Sequence, residues 1–556
     1  MMAKSALDSD TFNLAEATID AVLRKRAHQA PDKVFLNHLP DGRTYTYQDV
    51  DHLTRKLGSG LLEAGLEPGS HVAIFMENSP EQLFSLWGAS RAGLVSVPLN
   101  SSARGQLLAY FLKHSDSRAI IVEAHLLPRF LDIAASVPEI THVIVADACR
   151  PGMPAPSAAA DYANFAPALR FMKLAPLLET AQAPADTPPP HFTDLAMLMF
   201  TSGTTGPSKA IMFTHAQLIY WGTDVSVHHE YTEDDIAYVY LPLFHGNALL
   251  GSVMGSLMAG ASIALAHRFS TSTFWQDVRA SGATVFNSVG AVTNFLWSQP
   301  ASDQDRKHRV KRCHLAPVPK FAAELEARFG MKIMSAFGLT DYCLGASYNT
   351  QHPREKLGSA GRPRQNIDIR IVDDYDQDMP VGEPGEIILR NNFPWGASIG
   401  YYKAPEATLA SRRNLWFHTG DRGVLDEDGY LWYTDRLKDA IRRRGENISA
   451  FEVEEVIRTH PAIQDVAVYP LRSELSEDEV AATVVLRPGV EWSPEALIEH
   501  CNKNLAYFMV PRYIDVIDQM PMTLSQKIEK YKLKLRAEQN RSDIWDRELA
   551  GVRLER

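Results

Sequence analysis

The sequence predicts an α/β protein: a large N-terminal domain of stacked α/β sheets with a β-subdomain, followed by a small mobile α+β C-terminal domain. Strand-like and helix-like segments alternate through most of the chain, which is typical of parallel sheets covered by helices. From residue 357 the apolar pattern changes to period two, which indicates a sheet with one wetter face. The last segment, roughly 120 residues, has a helix–strand pattern of domain size.

The length of the chain supports this division, because 556 residues are too many for one hydrophobic core. We predict an N-terminal domain over residues 1–435 and a C-terminal domain over residues 436–556. The hinge is expected near Lys438, inside the charged segment Asp435–Asn447.

Apolar periodicity defines the elements of the N-terminal part. Helices are predicted at Thr18–His28, Val50–Ala64, Ser79–Ala92, Arg104–His114, from His215 and beyond Gly290. Strands are predicted at Lys33–His38, His71–Met76, Val95–Asn100, Arg118–Val122, Thr141–Ala146, Leu195–Phe200, Ile236–Leu241, Ala283–Ser288 and Lys332–Phe337. Residues 150–190 are rich in Ala and Pro and are predicted to be an irregular connection.

The β-subdomain and the C-terminal part have their own patterns. Strands Ile367–Val372 and Gly385–Arg390 alternate with period two, and Asp426–Tyr433 resembles a hairpin. The C-terminal elements are predicted to be a helix at Ala450–His460, strands at Val466–Tyr469 and Ala481–Leu486, and a helix at Ser493–Asn504.

One uncharged stretch, Asn247–Ala266, exceeds the roughly 18 residues at which a membrane span becomes a candidate. Six Gly or Ser residues interrupt it, and it follows a Pro-x-Phe-His turn. We therefore predict a buried helix that runs into a strand, and no membrane span.

Composition restricts the classes of partner. The net charge is −11 and the pI is about 6.0, which argues against a nucleic-acid binder. The four cysteines are far apart, so neither a disulfide framework nor a zinc site is indicated. The N-terminal residues contain no apolar signal region, and a cytoplasmic protein is expected. The sequence is compatible with a homo-oligomer.

The segment Thr201–Lys209 has the composition of a loop that binds phosphate. It follows a buried strand, and its backbone N–H groups, hydroxyls and one ammonium can converge on an anion. The spacing does not fit a Walker A loop. A solvated Gly/Ser/Thr turn without a ligand is the alternative for this segment taken alone.

Five further motifs follow this loop in a fixed order: Ala336–Asp341, Thr419–Asp421, Asp435–Asp439, Arg444–Asn447 and Ser525–Lys527. Together the six segments resemble the adenylate-forming superfamily, which contains acyl-CoA synthetases, peptide-synthetase adenylation domains and luciferases. The resemblance extends from residue 14 to residue 540, and within the superfamily the chain is most similar to the crotonobetaine/carnitine-CoA ligase type.

The resemblance implies an AMP-forming acyl-CoA synthetase. A carboxylate attacks the α-phosphate of ATP to give an acyl-adenylate and pyrophosphate, and coenzyme A then displaces AMP to give a thioester. ATP, Mg²⁺, coenzyme A and a small-molecule carboxylic acid are the implied cofactors and partners. The acceptor stays open, since an amide-forming or carrier-loading ligase shares the first step. A non-catalytic adenylate-binding protein is a third class, but it would be expected to lack Lys527 or Asp421, and both are present.

The resemblance also implies which residues bind the nucleotide. It implies that the loop binds the β- and γ-phosphates, that Asp421 binds the ribose, and that Phe337 lies against adenine. The full implied set is Thr201, Ser202, Gly203, Thr204, Thr205, Gly206, Lys209, Ala336, Phe337, Gly338, Thr340, Asp421, Arg436 and Lys527. The loop departs from the usual motif because Ala210 replaces its final glycine.

Catalysis is expected to depend on Lys527, Thr340, Asp341 and His245. By resemblance Lys527 bridges the carboxylate and the α-phosphate, Thr340 contacts phosphate, and Asp341 helps to hold Mg²⁺ where the family usually has Glu. Taken without the motifs, Asp341 could be a helix cap and Lys527 a solvated charge. His245 is expected to gate the path between acyl group and thiol, with a packed, hydrogen-bonded histidine as the alternative.

The remaining implied roles concern the second half-reaction. Rotation about Lys438 is expected to exchange Lys527 for the segment Gly445–Asn447 at the site. Coenzyme A is expected to meet Arg444, Gly445 and Glu446. The acyl pocket is predicted to be lined by His245, Gly246, Asn247, Val289, Gly290 and Leu339. The small, apolar residues of these segments, such as Gly246 and Gly290, indicate a small to medium carboxylic acid.

Overall fold

The computed structural model describes residues 6–7, 12–147, 169–179, 188–201, 207–436, 441–444, 446–473, 477–521 and 528–554, without the side chains of Ala291, Asp435, Arg436 and Asn447. Its α-helices, numbered in chain order, are α1 (Ile19–Gln29), α2 (Tyr47–Glu63), α3 (Pro80–Arg91), α4 (Gly105–His114), α5 (Leu127–Leu131), α6 (Leu174–Glu179), α7 (His215–His228), α8 (Met254–Ala259), α9 (Phe274–Ser281), α10 (Gly290–Trp297), α11 (Ala322–Phe329), α12 (Pro405–Ala410), α13 (Ala450–Arg458), α14 (Pro494–Asn504) and α15 (Lys530–Gln539).

The strands are β1 (Val34–His38), β2 (Thr44–Thr46), β3 (His71–Phe75), β4 (Val95–Pro98), β5 (Ser117–Glu123), β6 (His142–Ala146), β7 (Arg170–Lys173), β8 (Leu195–Phe200), β9 (Ala210–Thr214), β10 (Ile236–Val239), β11 (Ser262–Leu265), β12 (Val285–Val289), β13 (Arg312–Ala316), β14 (Lys332–Gly338), β15 (Leu344–Tyr348), β16 (Arg362–Pro363), β17 (Ile367–Val372), β18 (Gly385–Asn391), β19 (Phe417–Leu425), β20 (Leu431–Arg436), β21 (Ile441–Arg443), β22 (Glu446–Ile448), β23 (Ile463–Arg472), β24 (Asp478–Leu486), β25 (Tyr513–Val516) and β26 (Trp545–Asp546).

Local sequence chemistry fixes several of these boundaries. Helix α2 begins with a capping box, in which the Thr46 hydroxyl accepts from the Asp49 N–H and the Asp49 carboxylate accepts from the Thr46 N–H. Helix α3 begins with Ser79 as its cap and Pro80 in its first turn, where a missing N–H has no consequence. Helix α9 ends at Gly282, which adopts the left-handed conformation.

Two large sheets form the N-terminal part. The nine-stranded sheet has the order β16-β15-β14-β13-β12-β10-β11-β1-β2, and the seven-stranded sheet has the order β7-β6-β5-β3-β4-β8-β9. The strands from β1 through β14 in the first sheet pair in parallel, with antiparallel pairs at the edges. One hydrophobic core contains residues of both sheets and of the helices α1, α2, α3, α7 and α8. The predicted stacked α/β architecture is therefore confirmed.

The β-subdomain is a four-stranded antiparallel sheet, β17-β18-β19-β20. The C-terminal part contains the hairpin β21–β22 and a second four-stranded sheet, β23-β24-β25-β26. Helices α13 and α14 contribute to the core on one face of this sheet, and α15 contributes to the core on the other face. The small α+β C-terminal unit is present as predicted, whereas its mobility and the boundary at 435 stay predictions.

The irregular connection predicted for residues 150–190 is partly wrong. Within the described part of that range, Arg170–Lys173 forms β7, which pairs in parallel with β6, and Leu174–Glu179 forms α6. The run is short and only half apolar, so the surrounding Ala and Pro residues concealed it. Pairing with β6 supplies the hydrogen bonds that local propensity does not predict.

The uncharged stretch Asn247–Ala266 folds inside the protein as predicted. It forms a π-helix at Asn247–Val253, then α8 and β11. In the described ranges, every helix is too short or too polar to cross a bilayer.

Candidate active site

Several of the predicted pocket and nucleotide residues lie at one edge of the nine-stranded sheet, where three parallel strands end. Strands β12, β13 and β14 are parallel neighbours, and Val289 pairs with Ala316 at their carboxyl ends. Ligands of open α/β sheets bind at such edges. The structure therefore brings together Val289 and Gly290 at the end of β12, and Ala336, Phe337, Gly338, Leu339 and Thr340 at the end of β14.

Thr340 and Gly246 approach each other closely. A tight turn follows β14, in which the Tyr342 N–H donates to the Leu339 carbonyl at 3.0 Å. A Cβ atom at Gly246 would lie 3.1 Å from the Thr340 Oγ1. Only a residue without a side chain leaves the threonine undisturbed, so the predicted acyl pocket and phosphate contact adjoin here.

Asp341 is connected to Lys209 through Tyr401. The Tyr401 hydroxyl donates to the Asp341 Oδ2 at 2.6 Å, and the Lys209 ammonium lies 5.5 Å from the centre of the Tyr401 ring. Burial, together with the Asp341 charge, raises the pKa of Tyr401, so this tyrosine stays a neutral donor. Tyr401 belongs to none of the predicted motifs, although it forms an aromatic pair with Tyr402 in the sequence.

A single carboxylate such as Asp341 fits Mg²⁺. This ion is usually held by one or two carboxylates, substrate phosphate oxygens and water, and not by a complete protein cage. Asp341 offers hard oxygen donors and belongs to no cluster of three potential ligands within the described ranges, where Glu77, Glu123 and His125 form the one such group.

The base of the phosphate loop is closed by backbone pairing. Strands β8 and β9 are antiparallel, with Phe200 opposite Ala210, and the Thr201 N–H donates to the Lys209 carbonyl at 2.9 Å. Strand β9 was not predicted, although Ala210–Thr214 is an apolar run. Ser202, Gly203, Thr204, Thr205 and Gly206 lie outside the described residues.

Asp421 and Arg436 are directly opposite each other on the antiparallel strands β19 and β20. Asp421 is 4% exposed, and its N–H donates to the Thr419 hydroxyl at 3.1 Å. On the same strand as Arg436, the ring of Tyr433 lies 6.3 Å from that of Phe337. The motifs that contain Phe337, Asp421 and Arg436 therefore lie close together. Tyr433, which was not predicted, lies among them.

Residues of the C-terminal part contact this edge directly. The His245 Nε2 lies 2.7 Å from the Glu446 Oε2, although the His245 side chain is 41% exposed. Burial would lower the pKa of His245, but the charge and hydrogen bond of Glu446 outweigh it and raise the pKa above its ordinary value. The Arg442 Nη2 also lies 3.5 Å from the Ala316 carbonyl oxygen.

A second contact reaches the phosphate loop. The Ser208 N–H donates to the Glu452 Oε1 at 2.9 Å, and the Tyr110 hydroxyl donates to the Ser208 carbonyl at 2.6 Å. Burial raises the pKa of Glu452 to about 7, against the lowering effect of Ser208. Glu452 was missed because a glutamate in the first turn of a helix is ordinarily a surface residue that favours the helix dipole.

Comparison with known proteins agrees with this geometry. The profile described as AMP-binding enzyme matches residues 23–402, and the profile of the AMP-binding enzyme C-terminal domain matches residues 452–527. The chain belongs to the AMP-binding enzyme family. It is an AMP-forming acyl-CoA synthetase with ATP and coenzyme A as substrates, as the motifs predict.

Individual relatives cover most of this AMP-binding enzyme. Crotonobetaine/carnitine–CoA ligase of Citrobacter koseri is 30% identical over 88% of this chain and 93% of its own length. An o-succinylbenzoate CoA synthetase from Bacillus subtilis has a TM-score of 0.77 at 24% identity, with 93% of this chain and 98% of that chain covered. The amide bond synthetase of Marinactinospora thermotolerans has the same TM-score and identity, with 93% and 99% covered. The two structures show that the fold is shared.

Other predicted residues of this AMP-binding enzyme are placed less completely. Arg444 is exposed, with φ of 55°, and lies 3.9 Å from Glu548. Its neighbour Arg443 is buried against Glu479 and is a structural residue. Lys438, Gly445 and Lys527 lie outside the described residues, whereas Lys530, three residues after Lys527, pairs with Glu454 at 2.7 Å.

Proposed function

We propose that this acyl-CoA synthetase performs both half-reactions on a small to medium carboxylic acid at the edge formed by β12, β13 and β14. The single observation that carries this proposal is the contact between His245 and Glu446 at 2.7 Å. It unites a residue of the predicted acyl pocket with a residue of the segment expected to face the site when coenzyme A reacts.

The first half-reaction joins two anions, so it depends on charge neutralisation and alignment. Lys209 and the loop before it bind the departing pyrophosphate, and Thr340 contacts phosphate beside the acid. Lys527 bridges the carboxylate oxygen and the α-phosphate, since an ammonium with an ordinary pKa of roughly 10.4 stays charged. Asp341 holds Mg²⁺, which when bound supplies positive charge at the phosphates.

The nucleotide is bound beside this centre. The Asp421 carboxylate accepts hydrogen bonds from ribose hydroxyls, and Arg436 on the paired strand reaches ribose or the α-phosphate. Phe337 lies against adenine, and Ala336 and Gly338 let the nucleotide approach the end of β14. The proximity of Phe337, Tyr433 and Asp421 supports this assignment.

In the second half-reaction the thiol of coenzyme A attacks the acyl-adenylate and AMP leaves. Glu446 engages His245 at the pocket, and Arg444 and Gly445 lie along the path of coenzyme A. The two arrangements interconvert by rotation of the C-terminal domain against the N-terminal domain about Lys438. The ring of His245 then marks the boundary between the acyl pocket and the thiol path.

Two variants test the division of labour. Lys527→Ala is expected to abolish carboxylate-dependent ATP–pyrophosphate exchange while sparing thioester formation from supplied acyl-adenylate. Glu446→Ala is expected to slow the thioester step and spare the exchange. Equal loss of both steps in either variant would contradict a mechanism in which the C-terminal domain rotates between the two half-reactions.

The choice of acceptor is tested with the wild-type protein. Exchange with a panel of acids, followed by AMP release on addition of coenzyme A, is the expected result. If coenzyme A releases no AMP although exchange occurs, and an amine does release AMP, the acceptor would be an amine and not a thiol. Because ATP and coenzyme A are its substrates, we also propose a cytoplasmic location.

A further inference from the structure

A polar cluster lies beneath the predicted acyl pocket. Asn287 pairs with His314 on β12 and β13, two residues before Val289 and Ala316. Because side chains alternate along a strand, Asn287 and His314 share the face of Val289 and Ala316, one layer further from the carboxyl ends. Ala316 is partly exposed at that edge, so His314 lies under the open end of the pocket.

Hydrogen bonding leaves the ring of His314 unsatisfied. Its side chain is almost wholly buried and stacks on His229, with ring centres 4.2 Å apart and an interplanar angle of 15°. Within the described ranges, neither His314 nitrogen has a hydrogen-bond partner. Burial lowers the pKa of His314 to about 3, so the ring is neutral and offers one donor and one acceptor.

His229 below it is oriented by an ion pair. The Arg364 guanidinium donates to the His229 Nε2 at 3.0 Å and also pairs with the Asp224 carboxylate. Since Nε2 accepts, the hydrogen of neutral His229 is on Nδ1. That nitrogen also has no partner among the residues that the structure describes. Burial, followed by charges that include Arg364, holds the pKa of His229 well below its ordinary range.

The same layer connects to the pocket wall. The Asn287 amide donates to the Asn247 Oδ1 at 3.0 Å, and Asn247 is a predicted pocket residue at the start of the π-helix. A Cβ atom at Gly251, one turn along that helix, would lie 2.9 Å from the Asn287 Nδ2. The wide π-turn therefore brings the helix backbone onto Asn287, a geometry often found at functional sites.

The charges around the layer are already paired. Arg364 pairs with Asp224, and Arg312 lies 2.6 Å from Asp235. An additional full charge would be buried without a counter-ion, which is strongly unfavourable. An uncharged hydrogen-bonding group, by contrast, would satisfy nitrogens that are otherwise left buried and unpaired.

We propose that His314, positioned by His229, is the specificity-determining residue at the floor of the acyl pocket, and that the acid carries an uncharged hydrogen-bonding group, such as a hydroxyl or carbonyl, at its far end. The inference rests on the proposed acyl pocket. His314 pairs in register with Met334, four residues before Gly338. At about 3.3 Å per residue, the floor lies about 13 Å from the end of β14 that holds the reacting carboxylate.

The test compares straight-chain acids of matched length that end in a methyl, a hydroxyl or a trimethylammonium group. The readout is kcat/KM in ATP–pyrophosphate exchange. We expect the wild-type protein to favour the hydroxyl-ended acid over the methyl-ended acid by about tenfold or more at one chain length. In His314→Leu the ratio is expected to fall to near one, and His314→Asn, which keeps a donor and an acceptor, is expected to restore part of it.

His308→Leu is the matched control. The His308 ring stacks on Trp275, outside the pocket face, and its Nε2 also has no partner within the described ranges. This variant is expected to keep the wild-type ratio. An unchanged ratio in His314→Leu, or a wild-type preference for methyl or trimethylammonium ends at every length, would overturn the proposal.

Thermal unfolding without substrate supplies a second readout. Because His314 makes no hydrogen bond in the described structure, His314→Leu is expected to unfold at or above the wild-type temperature. A loss of Tm larger than that of His308→Leu would assign His314 a structural role and contradict the proposal. Absence of exchange with every acid would instead contradict the proposed adenylation at this site.

Discussion

The Oε1 of Glu452, in the first turn of α13, accepts a hydrogen bond from the backbone nitrogen of Ser208 at 2.9 Å. One partner belongs to the C-terminal part and the other to the end of the phosphate loop. The contact therefore exists only while these two segments adjoin, and it reports on the arrangement that we assign to thioester formation.

This contact predicts a pH dependence. The pKa of Glu452 is raised by burial from 4.5 to about 7 in this arrangement, and an arrangement that exposes the carboxyl restores the lower value. The contact therefore favours the arrangement most below pH 4.5 and loses strength as the pH rises to about 7. Glu452→Gln removes this titration, so the ratio of mutant to wild-type rate constants for thioester formation is expected to rise over that interval.

Single-turnover reaction of acyl-adenylate with coenzyme A measures this ratio, in which the ionisation of the thiol cancels. Glu455→Gln is the control, because Glu455 lies on the same helix and is 52% exposed in an ion pair with Arg458. A ratio that does not vary with pH for Glu452→Gln would contradict the assignment.

The pair of His245 and Glu446 is expected to be coupled in the thioester step. Its geometry is good, but partial exposure of His245 screens the interaction, so we expect a coupling free energy of about 1 kcal/mol. A double-mutant cycle with His245→Ala and Glu446→Ala measures it as about a fivefold departure from additive rate effects. The coupling is expected to weaken as the pH rises through the raised pKa of His245, since the charged pair is fully present only below it. Strict additivity would show that the contact has no part in the reaction.

Tyr401→Phe is expected to weaken Mg²⁺ binding. The hydroxyl donates to the Asp341 Oδ2 and orients that carboxylate, and loss of such a supporting bond lowers metal affinity by about tenfold. A Mg²⁺ titration of pyrophosphate exchange measures the change. Tyr402→Phe is the control, because the Tyr402 hydroxyl donates to Asp116 at 2.8 Å. If the two variants need the same Mg²⁺ concentration for half-maximal exchange, Tyr401 has no role in metal binding.

Arg443 and Arg444 are adjacent in sequence but are predicted to differ in role. Arg443 is 2% exposed and lies 2.7 Å from Glu479, so Arg443→Ala leaves the buried carboxylate with the more distant Arg512 at 3.7 Å and is expected to lower stability by about 3 kcal/mol. Arg444→Ala is expected to change stability by less than about 0.5 kcal/mol and to raise the KM for coenzyme A. Urea denaturation and steady-state kinetics measure the two effects. A KM for coenzyme A that is unchanged in Arg444→Ala would remove Arg444 from the binding path.

Apolar periodicity predicted the elements that local sequence can specify, such as α2 and β14, to within a few residues. It did not predict β7 and β9, which are short runs whose hydrogen bonds come from pairing with the preceding strands β6 and β8. The motifs likewise indicated Thr340, Asp341 and Asp421, the residues that we propose contact the nucleotide or Mg²⁺ directly. Residues that act through a partner, such as Tyr401 and Glu452, could not be recognised. Their proposed roles depend on contacts with residues that are distant in the sequence.

The pairing of Asp421 with Arg436 has a thermodynamic consequence for AMP. Asp421 and Phe337 both belong to sheets that precede residue 437, so the nucleotide contacts that we propose for them do not depend on where the C-terminal sheet lies. A ligand with equal affinity for two states shifts neither. We therefore expect the adenosine part of AMP to be neutral toward the rotation, and the acyl and phosphate ends of the reactants to decide its direction.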